Sequence, residues 1–272
     1  MAETSHFMEH VKDAHFFELP LGLELSVPQP FEAVGIPFHV TKFMALEIVV
    51  GLLMLAIFIP LARRIARGGP PKGLFWNFFE AILLFLRDEV TRPAIGGRDA
   101  DRFLPFIWTL FFFILFCNLM GLVPWAGSLT GAISTTAALA AISFCAVVSA
   151  GMWKMGVWGF FLNQIPTMDL PLVMAIFLKP MILGIELLGL GIKHFVLAVR
   201  LMANIFAGHL VLAVIMGFIA ETADRKIWYI VMPASILGTV ALSLLELFVA
   251  FLQAYIFTFL SALFIGMAIH KH

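Results

Sequence analysis

The residues of this chain that could do chemistry are ionisable and amide side chains set inside otherwise apolar sequence. Glu186, Lys193 and Arg200 recur every seven residues, and seven helical steps return to nearly the same helix face. Asn204 follows one turn later, and His209 lies ~14 Å beyond Arg200 along the axis. In a second apolar run, Glu246 and Gln253 are again seven apart. Arginine keeps its proton at any accessible pH, so Arg200 is a fixed charge. It can attract a mobile carboxylate or stop protons from passing straight through. Histidine and glutamate both titrate, and together they can hand a proton between water and a membrane interior. These residue types at this spacing point to a proton path interrupted by a gate.

The two runs are joined by a short polar loop, ETADRK (221–226), and read as an antiparallel hairpin. Residues of equal depth on antiparallel arms have numbers with a constant sum. Arg200 with Gln253 gives 453, and His209 with Glu246 gives 455. One register therefore brings two layers into being, Arg200–Gln253 and, nearer the outside, His209–Glu246. Plainer readings stand beside this one. Arg200 could neutralise Glu246 or Glu186 in a structural ion pair, and His209 could be a hydrogen-bonded packing residue. Glu186 and Lys193 could neutralise one another or snorkel toward the cytoplasmic interface; by position they are candidates for a cytoplasmic half-channel. Tyr255 suits an interface anchor as well as a supporting role in the path. Ser134, Thr135 and Thr136 are expected to bond back to their own helix.

The elements that must hold these residues follow from composition. Hydrophobic residues make up 62% of 272, charged ones 12%, and phenylalanine occurs 29 times. A soluble domain lacks the interior for such a surplus, and several runs reach the ~20 residues that cross a ~30 Å bilayer core. The expected fold is an all-α polytopic membrane protein of about five membrane helices and one interfacial amphipathic helix. The spans are 43–62, 103–123, 131–152 and the two long arms 170–220 and 227–269. At 1.5 Å per residue the arms would measure ~75 and ~65 Å, so they are expected to be kinked or steeply tilted. The third span, rich in small residues, is expected to pack inside the bundle. The interfacial helix is placed at 74–90. Residues 1–40 read as a hydrophilic N-terminal segment without a signal-type apolar core, and 41–272 as one membrane domain whose hairpin, 170–269, carries the ion path. Eight of the 17 Lys and Arg residues fall between the first two spans. The positive-inside bias then sets the N-terminus outside and the C-terminus in the cytoplasm, and no transit peptide is read, which favours a bacterial inner membrane.

Other chemistries are excluded by what the sequence lacks. The net charge is zero with no basic tract, so no nucleic-acid partner is expected. There is no phosphate-binding Gly-x-x-x-x-Gly-Lys loop, no His-Glu-x-x-His and no paired-cysteine motif. No metal and no cofactor are expected. Cys117 and Cys145, both in apolar runs, read as structural thiols.

The stretch VRLMANIFAGHL, with Arg200 and Asn204, and LELFVAFLQAYIFTFLSALF, with Gln253 and Tyr255, carry a family resemblance. NLMGLVP (118–124) and the basic connector GGPPKG support it. Over roughly residues 40–270 the chain resembles subunit a of F-type ATP synthases. The resemblance implies a non-catalytic stator subunit with two offset half-channels and an essential arginine facing a ring of rotor c subunits. Its partners would be the c-ring, the peripheral-stalk b subunits, the rest of the complex and the lipid bilayer. Arg200 would keep the half-channels apart and help release the proton from a ring carboxylate, with Asn204 and Gln253 in support. In the best-known bacterial pattern a glutamate stands at the His209 position and a histidine at the Glu246 position. Here the two types are exchanged, which keeps one acid and one imidazole in the same layer. A self-contained ion channel or secondary transporter is the alternative; such transporters often carry inverted repeats, and none is evident here.

Overall fold

The computed structural model describes residues 41–67, 73–123, 129–164, 172–223 and 225–270, with the backbone of 16–19, 23–26, 32–33 and 36–37. The side chains of Arg98, Leu172, Val173, Ala175, Ile176 and His209 lie outside that description. So do the basic connector at 68–72, Asp169 and Asp224.

The N-terminal segment, expected only to be hydrophilic, contains two antiparallel hairpins. β1 (Phe16–Leu19) pairs with β2 (Leu23–Ser26), and β3 (Glu32–Ala33) with β4 (Ile36–Pro37). Beyond them the described chain is helical. α1 is Lys42–Ala66, α2 Leu74–Phe85, α3 Arg92–Ile95 and α4 Gly97–Gly121. α5 is Ile133–Met155, α6 Val157–Asn163, α7 Leu172–Glu221 and α8 Trp228–Ile269. Thr41 caps α1 by accepting the Met44 N–H at 3.4 Å, and Arg63 and Arg64 in its last turn complement the helix dipole.

Five of these helices, α1, α4, α5, α7 and α8, are long and apolar enough to cross a membrane. The chain is an integral membrane protein of all-α polytopic class. α2, 12 residues long, continues without a break through a π-helical turn, Leu86–Thr91, into α3. Its length alone therefore does not decide against a span, but Glu80, Arg87, Asp88, Glu89 and Arg92 along this stretch are too many charges for a bilayer core. The Leu74, Phe75 and Phe78 side chains of α2 are exposed, as suits a helix lying in the interface. The long arms are unbroken: α7 runs 50 residues through Pro180, and α8 runs 42 through Pro233. Only 6% and 11% of their most apolar stretches are buried, so their apolar faces need lipid or another chain.

The contacts group the chain into two compact units, Met1–Gly68, Phe112–Thr135 and Leu201–Ala254, and Gly69–Phe111, Thr136–Arg200 and Tyr255–His272. The first has a core of Val50, Leu61, Phe112, Ile114, Leu201 and Ala250, with Phe58 against Phe112 at 4.6 Å. Here Thr135 departs from expectation. Its hydroxyl donates to Glu47 Oε1 at 3.0 Å, crossing to α1 because the residue is buried and a second acceptor lies opposite.

In the second unit a π-helical turn, Leu86–Thr91, follows α2. It is held by the buried Thr91 hydroxyl on the Leu86 carbonyl at 2.8 Å. At its surface Arg87 and Arg92 both donate to Asp88, and the Arg87 hydrogen bond holds the Asp88 carboxyl below its ordinary range. That support is present above the usual carboxylate range and is lost as pH falls from there through the lowered value of the folded state. The Trp108 indole donates to the Leu83 carbonyl at 3.0 Å, fastening α4 to α2. α8 closes on α3 where a Cβ at Gly266 would strike the Ala94 carbonyl. α5 meets α8 at Ser143 and Ser261, 2.8 Å apart. Lys154 pairs with Asp99, and Asn163 donates to the His270 carbonyl at 3.1 Å, tying α5 to α4 and α6 to the end of α8.

Candidate functional site

In the first unit, α7 and α8 enclose a cavity of about 210 Å³ that contains two of the anticipated residues. α7 contributes Asn204, Gly208 and Val211, spaced four and three apart; α8 contributes Leu242, Leu245, Glu246 and Val249. Each set lies on one helix face. The half-buried Glu246 rests directly on the α7 backbone, since a Cβ at Gly208 would overlap its carboxylate. Only glycine admits so close an approach. The contact of Gly208 with Glu246 sums to 454. That of Ile215 with the Cβ position of Gly238, at 3.9 Å, sums to 453. Both agree with the register read from the sequence. His209 is helical and follows Gly208, while its side chain is outside the described residues.

In the second unit a cavity of about 280 Å³ contains Glu186 and Lys193. Leu190 completes the α7 wall, α8 adds Phe264, Met267 and Ala268, α5 adds Val147, and Asn163 and Gln164 also line it. Among the described residues Glu186 and Lys193 form no ion pair. The Lys193 ammonium instead stands 5.7 Å over the Phe264 ring, a cation–π contact. Mutual neutralisation therefore does not account for them. An acid, an ammonium and two amides around one cavity make a place where water can stand and a proton can be exchanged.

Arg200 follows Lys193 and precedes Asn204 in the chain, so in sequence it separates the residues of one cavity from those of the other. Its side chain is exposed. Val196, Ala203 and Ala207, at helical spacing on the same face, are also exposed, leaving small side chains around the guanidinium. No ion pair joins it to Glu186 among the described residues. A fixed charge on an exposed, apolar face is costly in lipid unless it is paired or hydrated. Gln253 is buried at 4% exposure. Tyr255 sits in an aromatic stack, 6.0 Å from Phe85 and 6.0 Å from Phe259.

Sequence reading passed over the group that holds α8 in place in the first unit. The buried Asn118 donates to the Ala250 carbonyl at 3.1 Å and accepts from the Thr130 hydroxyl at 2.8 Å. Ala250 is one turn past Glu246. The signal was present as an asparagine inside an apolar span, but its partners come from residues 12 and 132 positions away. Asn118→Leu leaves buried polar groups unserved at about 1–3 kcal/mol each. The purified protein is expected to unfold at a lower temperature than wild type; an unchanged midpoint would mean that α8 is held by packing alone. Asn163, Gln164 and Phe264 were likewise missed, since nothing in their spacing ties them to Glu186.

The chain matches the family described as ATP synthase A chain over residues 44–266. A protein from Chloroherpeton thalassium described as ATP synthase subunit a is 37% identical over 268 residues, covering 96% of this chain and 76% of that protein. One of the same description from Myxococcus xanthus is 37% identical over 236 residues, 86% of this chain and 75% of its own length. A third, from Anaeromyxobacter sp., is 36% identical over 266 residues, 97% of this chain and 62% of its own.

Proposed function

The chain belongs to the ATP synthase A chain family, and from that premise we propose that it is the proton-translocating stator subunit of an F-type ATP synthase. The observation that carries the reading is the polar layout of α7. An exposed Arg200 lies in sequence between the residues of a cavity holding Asn204 and Glu246 and those of a cavity holding Glu186 and Lys193.

Each part then has a chemical task. A proton arriving from outside passes by way of Glu246, with His209 as its relay partner, to a carboxylate of a rotor c subunit. The neutral acid so formed can move through lipid, which a carboxylate cannot do cheaply. When the acid reaches Arg200, the fixed positive charge favours its ionised form. The released proton leaves through the Glu186–Lys193 cavity, and the arginine bars direct passage between the half-channels. By the family resemblance, Asn204 and Gln253 have supporting roles for the arginine. The subunit makes no ATP itself; it couples proton flow to rotation within the complex, alongside the c-ring and the peripheral-stalk b subunits. Its membrane is a bacterial inner membrane, with the N-terminus outside, the C-terminus in the cytoplasm, and residues 41–272 forming one membrane domain. A self-contained channel or transporter is disfavoured because the gating charge is exposed, where a group from a partner can meet it.

Thiol labelling tests this layout. With Cys117 and Cys145 replaced, single cysteines at 204 and 193 are introduced in the assembled complex. A membrane-impermeant reagent is expected to modify position 204 only from the outside and position 193 only from the cytoplasmic side. Modification of both from one side would overturn the two half-channels.

A further inference from the structure

His194 takes no part in the scheme above, and its environment is unlike that of a packing residue. It is 3% exposed. Its Nδ1 lies 2.9 Å from the Leu190 carbonyl, and a carbonyl only accepts, so Nδ1 carries the ring proton. Nε2 of the neutral imidazole is left with its lone pair. That Nε2 is buried and has no hydrogen-bond partner among the described residues. The ring is wedged between Phe144 of α5, edge-on at 5.3 Å, and Phe264 of α8 at 5.2 Å. An unserved basic nitrogen between two aromatic rings weakens the packing it sits in, which an apolar side chain would avoid.

The surroundings give the lone pair a use. Leu190, Lys193 and Phe264, which bond to, adjoin and contact His194, all line the 280 Å³ cavity. The imidazole is therefore adjacent to that cavity's wall, with the Phe264 ring shared between the two. Ser143 and Ser261, beside Phe144 and three residues before Phe264, are hydrogen-bonded to each other. Thr258, one turn earlier on α8, has a second buried oxygen without a partner among the described residues. Buried polar atoms of this kind characteristically take water. Of the charged groups of α7, Lys193 and Glu186, of opposite sign, line the adjoining cavity, and Arg200 lies six residues past His194 along the helix. α5 and α8 bring Ser143, Thr258 and Ser261, and α6 brings Asn163, all neutral.

We propose that His194 is a proton-accepting station of the ion path through this cavity, set in sequence between the Glu186–Lys193 wall and Arg200. Nε2 takes the excess proton carried by a cavity water as hydronium, leaving neutral water behind, and becomes an imidazolium. It then returns that proton to water on the next step, while Nδ1–H stays on the Leu190 carbonyl. The inference rests on the reading of this cavity as a half-channel.

The test is potential-driven proton flux through the membrane sector in vesicles stripped of the catalytic head, followed across the imidazole titration range. His194→Asn, His194→Phe and Glu186→Gln are compared with wild type. Both His194 variants are expected to lower flux several-fold, and His194→Asn, which keeps a donor for the Leu190 carbonyl, is expected to lose the pH-dependent component in the imidazole range. A His194→Asn profile matching wild type, with flux lowered by Glu186→Gln, would reduce His194 to packing and leave the half-channel standing. Unchanged flux in Glu186→Gln would overturn the half-channel reading and His194's role with it. Where His194→Phe does not assemble, His194→Asn and His194→Gln carry the comparison.

Discussion

Replacing Arg200 with alanine is expected to abolish ATP-driven proton pumping into inverted membrane vesicles, with the ring still assembled and passive leak unchanged or raised. A positive charge within about 4–6 Å of a carboxyl lowers its pKa by roughly 1–3 units. Losing that charge takes away about 1.4–4 kcal/mol of drive for proton release, at 1.36 kcal/mol per unit. Release from the ring carboxylate would slow by roughly tenfold to a thousandfold. The exposed setting of Arg200 among Val196, Ala203 and Ala207 means that little internal packing depends on the side chain, so the loss falls on coupling rather than on folding. Arg200→Lys is expected to pump poorly as well, because lysine lacks the planar fork and gives up its proton more readily near apolar surface. Pumping near the wild-type level in Arg200→Ala would remove the arginine from the mechanism and leave its charge to be explained by structure alone.

The second large effect is expected at the contact between Glu246 and Gly208. Glu246→Gln keeps the size of the side chain but not its titration, so ATP-driven pumping should fall to a small residue while the thermal midpoint holds. Gly208→Val should lose both. A side chain there meets the Glu246 carboxylate, and overpacking of this kind costs about 1–3 kcal/mol. Adding Glu246→Ala to Gly208→Val relieves the crowding and should bring back much of the thermal stability without bringing back pumping. Recovery of pumping in that double variant would show that Glu246 is a space-filling group and not a proton carrier. Wild-type pumping by Glu246→Gln would say the same.

Much of this protein could be read along the chain. The five spans follow from runs of apolar residues, because a bilayer demands ~20 of them in succession and every backbone group must bond within its own helix. The helix expected over 74–90 is present, although a π-helical turn within it and its continuation to Ile95 left no mark in the hydropathy. The hairpin register followed from arithmetic on Arg200, His209, Glu246 and Gln253, since two antiparallel helices have few ways to pair polar residues in lipid. The contacts of Gly208 with Glu246 and of Ile215 with Gly238 fall in that register because helix rise is constant over long unbroken segments.

What periodicity could not supply were partners contributed by distant segments. Thr135 was expected to bond within its own helix, yet its hydroxyl reaches Glu47, 88 residues away. Helical spacing places a side chain on a face without saying which acceptor faces it. Gly208 is an ordinary glycine in the sequence, and its importance exists only because a carboxylate on another helix occupies the space where a side chain would be. Glu186 and Lys193 share a face by spacing alone, but whether they neutralise each other or line a cavity depended on Phe264 and Asn163 from other helices. His194 is the sharpest case. The sequence pattern assigned His194 no role, and only the packing of Phe144 and Phe264 around it buries its free nitrogen. In lipid, hydropathy and helix geometry are one-dimensional constraints, written along the chain, and they determine spans, faces and register. Burial, close approach and the pairing of polar atoms depend on which faces meet in three dimensions.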